Sequence, residues 1–277
     1  MESRSVLPKI SAVITALVML MVMLCSCMTD NALRENEELP EIVVGVDYYG
    51  PFVYKDSDGE FAGIDIELAK EVFRHIGYKP KFVHIVWGEK AAYLERGEID
   101  CIWCCFTVTG REDDYAWSLP YMNSRQVVAV KKDSGIDDIK GLTNKKVAVQ
   151  STTKSDEILS GKAGVKNFEI PKLKELNCFP NIKYIFSALN EGYVDAIAGH
   201  ELVLLDYMKS SSADLNILSE PLLEVQVGIA FLQGTHADTI QLINKTLLLL
   251  KSTGYLSKLF ESHGLDPDIY VVDYEQK

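Results

Sequence analysis

Leu94-Glu95-Arg96-Gly97-Glu98-Ile99-Asp100-Cys101-Ile102 recurs 95 positions later as Leu189-Asn190-Glu191-Gly192-Tyr193-Val194-Asp195-Ala196-Ile197. The two runs share a leucine, a glycine three residues on, then a branched apolar residue, an aspartate and an isoleucine. Each copy reads as a helix ending on a glycine that can take the left-handed C-terminal conformation, followed by a short apolar strand. A spacing of 95 residues is far longer than a solenoid repeat. It matches the size of a small domain, so two similar α/β lobes are expected. Ligands of open α/β sheets bind beyond the carboxyl ends of the strands. Cys105 to Arg111 and Gly199 to Glu201, which follow the two strands, are therefore expected in equivalent places at one site.

The rest of the chain alternates strand and helix around these copies. Glu41 to Val46 is an apolar strand running into Asp47-Tyr48-Tyr49-Gly50-Pro51-Phe52, and Asp58-Gly59 marks a turn in a short hairpin. Ile64, Leu68, Val72 and Ile76 recur at helical spacing, and Gly77 ends that helix. Pro80 to Val86 is expected as a strand, Glu89 to Arg96 as a helix, and Ile99 to Cys105 as a strand. Beyond the turn-prone Leu119-Pro120-Tyr121, strands are expected at Gln126 to Lys131, Lys146 to Gln150, Val194 to Ala198 and Val225 to Leu232. Helices are expected from Glu201 to Met208, from Ala237 to Lys251, and around Leu256, Leu259 and Phe260. Such alternation is the signature of largely parallel, helix-covered sheets. Crossovers between the lobes are placed near Tyr121–Ser124 and Leu223–Val227, leaving the first lobe discontinuous and closed by the C-terminal helices.

The N-terminus reads as an export signal. Arg4 and Lys9 precede an apolar run of fifteen residues, Ile10 to Leu24, the charged-then-apolar order of a secretory segment. That run is short for a membrane span. Leu24-Cys25-Ser26-Cys27 resembles the bacterial lipobox, which implies a diacylated Cys27 as the mature N-terminus. Residues 28–40 are polar and acidic and read as a flexible tether. A net charge of −12 with no basic stripe argues against nucleic acid as a partner. Cys101 and Cys104 form a C-x-x-C pair with no second ligand pair nearby, so no metal site is expected. Strand alternation places Cys101 and Cys105 on one face and Cys104 on the other, as small buried hydrophobes. The sequence leaves a disulfide to Cys178 open. There is no phosphate-binding loop or nucleophile–base pair, and no cofactor is expected.

The most specific run is Phe106-Thr107-Val108-Thr109-Gly110-Arg111, followed by Trp117-Ser118-Leu119-Pro120-Tyr121. Gly45-Val46-Asp47, Pro51-Phe52, Gly63-Ile64-Asp65-Ile66, Val147-Ala148-Val149-Gln150-Ser151-Thr152-Thr153 and Gly228-Ile229-Ala230-Phe231 stand around it. On these residues the stretch from Glu41 to Gly264 resembles the extracytoplasmic solute-binding proteins of the polar amino-acid class, family 3. The resemblance implies an α/β, two-lobed periplasmic-binding-protein-like fold. Each lobe would be a mixed, mainly parallel sheet flanked by helices, and two crossover segments would form the hinge. The expected divisions are residues 1–27 (signal peptide), 28–40 (tether), 41–122 with 226–277 (first lobe) and 123–225 (second lobe).

By the same resemblance Arg111 clamps a ligand α-carboxylate, for which its planar fork is suited, with Thr107 and Thr153 assisting. Tyr49 and Trp87 match positions whose side chains sandwich the ligand, Asp47 and Gln150 flank the cleft, and Cys105 opens the Arg111 segment. Two departures stand out. The loop leading to Arg111 is one residue shorter than the family's, and the acidic residue that binds the ligand ammonium falls at His200, with Glu201 beside it. Either Glu201 substitutes, or the ligand is not an ordinary α-amino acid. The implied function is that of a monomeric, lipid-anchored extracytoplasmic binding protein, not an enzyme. It would close over an amino acid or similar small polar solute and deliver it to an ABC permease. A sensor signalling to a membrane partner is the alternative. A cyclic-acid dehydratase on the same fold, with Glu201 or Asp47 as the pocket acid, is the third reading.

Overall fold

The computed structural model describes residues 39–162 and 169–274. The expected export signal, the Cys27 lipidation site and nearly all of the tether lie outside the described residues. In chain order the first elements are β1 (Glu41–Val46), β2 (Tyr54–Lys55), β3 (Phe61–Ala62), α1 (Ile64–Ile76), β4 (Lys79–His84), α2 (Lys90–Glu95), β5 (Cys101–Ile102) and β6 (Ala116–Trp117). They are followed by β7 (Met122–Lys131), β8 (Lys146–Gln150), α3 (Lys154–Leu159), β9 (Glu175–Phe179) and α4 (Ile182–Asn190). Then come β10 (Ala196–His200), α5 (Glu201–Ser211), β11 (Leu215–Ile217), β12 (Leu223–Val227) and β13 (Ala230–Phe231). The helices α6 (Ala237–Ser252), α7 (Tyr255–Ser262) and α8 (Pro267–Tyr270) complete the order.

Two main sheets carry the two lobes. The first runs β4-β1-β5-β13-β6, and the second runs β11-β7-β10-β8-β9 with β12 paired to β7. In each, a parallel group lies beside antiparallel strands. β1 is parallel to β4 and β5, and β8 is parallel to β9 and β10. β13 is antiparallel to β5 and β6, and β7 is antiparallel to β10, β11 and β12. The second sheet is apolar on both faces, as expected for strands covered on both sides. Val128 and Val130 of β7, with Val147 and Val149 of β8, pack in one core. Their alternates Val127, Ala129 and Ala148 pack in another.

The nine-residue repeat has a physical basis. Gly97 and Gly192 sit at φ 65 and φ 74, the left-handed region that glycine enters without a Cβ penalty. At each, the glycine N–H donates back to the leucine carbonyl that opens the repeat, Leu94 or Leu189, at 3.0 and 3.1 Å. The repeat aspartates act alike as well. Asp100 accepts from Val43 N at 2.6 Å and Asp195 accepts from Lys146 N at 2.8 Å. Each thereby ties the entry of its own strand to the strand beside it, β1 in one sheet and β8 in the other.

Several expected boundaries move. The strand expected from Ile99 to Cys105 stops at Ile102, and Cys105 turns at φ 46. Alternation therefore does not sort the cysteines: Cys104 and Cys105 face the same cavity. The strand expected from Val225 to Leu232 divides into β12 and β13, which join different sheets, because this segment is where the chain crosses back. All four cysteines of the described residues are free, with Cys178 exposed, so the disulfide left open by the sequence is not formed.

Candidate functional site

The carboxyl ends of β1, β5, β8 and β10 converge on one narrow cavity between the sheets. One wall comes from the first lobe. Asp47 and Tyr49 follow β1, Trp87 precedes α2, and Cys104, Cys105, Phe106, Thr107 and Arg111 follow β5. The opposite wall holds Gln150, Thr153 and Lys154 after β8, and His200 at the end of β10. Of the ten residues expected from the sequence, the structure brings all but Glu201 to this cavity.

The loop carrying Thr107 and Arg111 is fixed from below by a buried carboxylate. Asp65, in the first turn of α1, accepts from Cys105 N at 2.6 Å and from Tyr121 Oη at 2.7 Å. Burial pushes its carboxyl up to about 7, against the effect of those two bonds. Phe106 is packed by the edge of Trp87 at 5.2 Å between centroids, and the Arg111 guanidinium lies over its face at 5.0 Å.

Arg111 is held more tightly than a free clamp would be. Its Nε donates to Glu157 Oε1 at 2.9 Å and its Nη2 donates to the same oxygen. Nη1 and Nη2 also donate to the carbonyls of Thr107 and Thr152 at 3.3 and 3.4 Å. Four of the five guanidinium N–H bonds are thus committed, and the bidentate edge belongs to Glu157 rather than standing open. Lys154 pairs with the other oxygen of Glu157 and reaches Gly110 O at 3.5 Å, which leaves it one donor. Burial works to raise the Glu157 carboxyl, but Arg111 and Lys154 overcome it and hold the group below the usual carboxylate range. Beside this cluster Lys90 crosses between the lobes, donating to Thr152 Oγ1 at 2.9 Å and Thr152 O at 3.2 Å. Burial, with Arg111 nearby, lowers its ammonium to about 7.

His200 lies in the cavity wall as a neutral ring. Its Nε2 meets Thr107 Oγ1 at 3.2 Å and its Nδ1 meets Ser124 Oγ at 3.0 Å, so both nitrogens already have hydroxyl partners. Burial, and secondarily Arg111, pushes its pKa down to about 3. Glu201 points elsewhere: Arg125 holds both of its oxygens, and together they line a separate depression with Glu224 and Tyr270. The expectation that Glu201 replaces the family's acid is corrected on this geometry, since its carboxylate is engaged away from the cavity. Thr153 caps α3 and donates its hydroxyl to Gln150 O at 2.7 Å. Gln150 Nε2 donates to Asp47 Oδ2 across the cleft at 3.0 Å.

Sequence reasoning passed over Cys104, Phe106 and Lys154 as cavity residues, and Glu157 and Lys90 behind them. Lys154 directly follows the Ser151-Thr152-Thr153 loop, and Glu157 is one helical turn further on. That one-turn spacing was the available signal.

Residues 42–266 match the family described as bacterial extracellular solute-binding proteins, family 3. The L-cystine-binding protein TcyA of Bacillus subtilis is 29% identical over 215 residues, covering 76% of this chain and 76% of that protein. An ancestral arginine-binding protein solved with arginine is 30% identical, with a TM-score of 0.71, over 80% of this chain and 97% of the other. An ABC uptake transporter substrate binding protein from Streptococcus pneumoniae, solved with bound histidine, is 26% identical with a TM-score of 0.73, over 80% of this chain and 91% of that one. Fold, strand order and the length of the match agree, and the chain belongs to the bacterial extracellular solute-binding proteins, family 3.

Proposed function

We propose that this protein captures an amino acid or a similar small polar solute in the cavity between its lobes and passes it to an ABC permease. In this reading the chain is exported and held at the outer face of the cell membrane by lipid on Cys27, and it works as a monomer without a cofactor. The observation that carries the reading is the cavity itself, whose polar groups come from both lobes and meet across the gap. A solute there touches both walls at once, which is how a ligand shifts a two-lobed protein toward its closed form. One further group calls for a partner. Trp87 is buried in the cavity wall, and its Nε1 donor has no acceptor among the described residues.

A thermal-shift screen of the full chain against amino acids and small organic acids tests the proposal. A solute that binds only the folded form raises the apparent melting temperature in proportion to the logarithm of its concentration. Replacement of Arg111 by Ala should remove that shift. A screen in which no solute moves the transition would overturn the reading. The anchor is tested separately: Cys27→Ala should release the protein from membranes or leave an unprocessed precursor.

A further inference from the structure

Glu157 sits on Arg111 where a carboxylate from outside would have to bind. It stands on α3 in the second lobe, whereas Arg111 belongs to the first. Arg111 Nε donates to its Oε1 at 2.9 Å and Nη2 donates to the same oxygen, while its Oε2 accepts from Lys154 Nζ. Two cations thus share one anion, and no other carboxylate among the described residues pairs with either. The neighbouring acids are engaged elsewhere: Asp156 accepts from Thr152 N at 2.8 Å, and Glu112 accepts from Gly110 N at 3.0 Å.

The three groups differ in freedom. Arg111 is fixed from within its own lobe. Its N–H donates to Val108 O at 2.8 Å, its carbonyl accepts from Trp117 Nε1 at 2.8 Å, and its guanidinium rests on Phe106 and donates to Thr107 O. None of these contacts involves Glu157, so the fork keeps its place when that carboxylate leaves. The side chains of Arg111 and Lys154 are 5% and 2% exposed, against 27% for Glu157. Glu157 is the member that can turn toward water by rotation of its own side chain. Lys154 lies one turn before it on the same helix, so the two can stay paired as it moves.

We propose that Glu157 is a built-in competitor for the Arg111 fork, and that an entering solute carboxylate displaces it onto Lys154. The exchange gives each cation its own carboxylate where one was shared before. It also weakens binding by design. A tethered group acts at an effective concentration on the order of millimolar, and solute affinity falls with the fraction of molecules whose fork is free. The proposal rests on the reading of this cavity as the solute site.

Calorimetric titration of the full chain with the standard L-amino acids, repeated on Glu157→Gln, tests it. At least one amino acid should bind the variant about tenfold more tightly than the unaltered protein, as expected when a competing state is removed. The α-carboxamide of that amino acid should show no such gain, because it brings no carboxylate to the fork. A merely structural role for Glu157 would lower affinity rather than raise it. Glu112→Gln controls for charge alone: it removes a nearby exposed carboxylate that is not seated on Arg111, and should alter affinity less than about twofold. Glu157→Ala gives a second reading should the glutamine variant fold poorly. Equal or weaker binding by the Glu157 variants, a gain shared by the carboxamide, or the same gain in Glu112→Gln would overturn the proposal. If amino acids bind the unaltered protein and the Glu157 variants alike, this inference fails and the proposed function survives. If no amino acid binds any of them, the amino-acid reading of the cavity fails with it.

Discussion

Acidification should weaken this fold through His200 by an amount that can be worked out. In the folded chain the ring is buried and neutral, with its pKa pushed down to about 3. In the unfolded chain it titrates near ~6.5. The folded value is the lower one, so this group's contribution is intact above about pH 6.5 and is lost as pH falls toward about 3. Between pH 7 and pH 5 the unfolded chain takes up most of a proton that the folded chain refuses, a difference of about 2 kcal/mol by linkage. For a protein of this size that corresponds to a fall in Tm of roughly 4–8 °C. Asp65 acts in the opposite sense. Its carboxyl is raised to about 7, so its contribution grows as pH falls from about 7 toward its unfolded value. The wild-type profile alone therefore mixes two effects, and the assay must compare it with His200→Gln, in which the Asp65 contribution is unchanged. Urea unfolding of both proteins at pH 7, 6 and 5 should show wild type losing about 2 kcal/mol relative to the variant over that range. Parallel profiles, agreeing within about 0.5 kcal/mol, would mean that the folded protein accommodates imidazolium at this position. The account of a neutral ring between Thr107 and Ser124 would then be wrong.

Other expectations are simpler to check. Asp100→Ala removes a carboxylate bonded to the entry of β1 and should cost about 1.5–3 kcal/mol in urea unfolding; a loss under about 0.5 kcal/mol would reduce the repeat aspartate to a spacer. Gly192→Ala should cost about 1–2 kcal/mol from backbone conformation alone, because an added Cβ at φ 74 meets nothing within 4 Å. Gly45→Ala should cost more in the same assay, since its Cβ would fall 2.5 Å from Ile99 Cδ1. Alkylation followed by peptide mass spectrometry should modify Cys178 in the native protein, and Cys101, Cys104 and Cys105 only after unfolding. Early labelling of Cys105 would show that the cavity wall opens far more readily than its burial suggests.

Much of the architecture was legible because its key positions are dictated by backbone geometry. Gly97 and Gly192 end helices in a conformation other residues avoid, and Asp100 and Asp195 follow three residues later to grip a neighbouring strand. Such constraints survive when most surrounding residues differ, so the repeat could be read directly. The Cys101 to Cys105 alternation misled because it presumes a continuous strand. Here pairing ends at Ile102, and the chain turns under the hold of Asp65, a partner 40 positions earlier in sequence. The choice between His200 and Glu201 was beyond sequence reasoning for a related cause. The two are adjacent, and what separates them is a guanidinium on β7, 76 positions from Glu201. Arg111 lines the cavity, but the carboxylate already seated on its fork comes from a short helix in the other lobe. Tertiary pairings of this kind leave no local pattern.

The position of β13 bears on how the chain assembles. This strand lies between β5 and β6, so the first sheet is split until Ala230–Phe231 arrives. Every strand of the second sheet falls between Met122 and Val227, a continuous stretch, and the C-terminal segment adds to it only a bridge from Val271 to Met122 at the end of β7. Closing the first sheet means joining residues more than a hundred positions apart, a long loop whose entropy slows pairing. Until then β5 offers an open edge on which another chain could add. A chain ending soon after Val227 would carry every strand of the second sheet but a first sheet still in two pieces, so the half of the sequence that emerges first is the half whose sheet closes last.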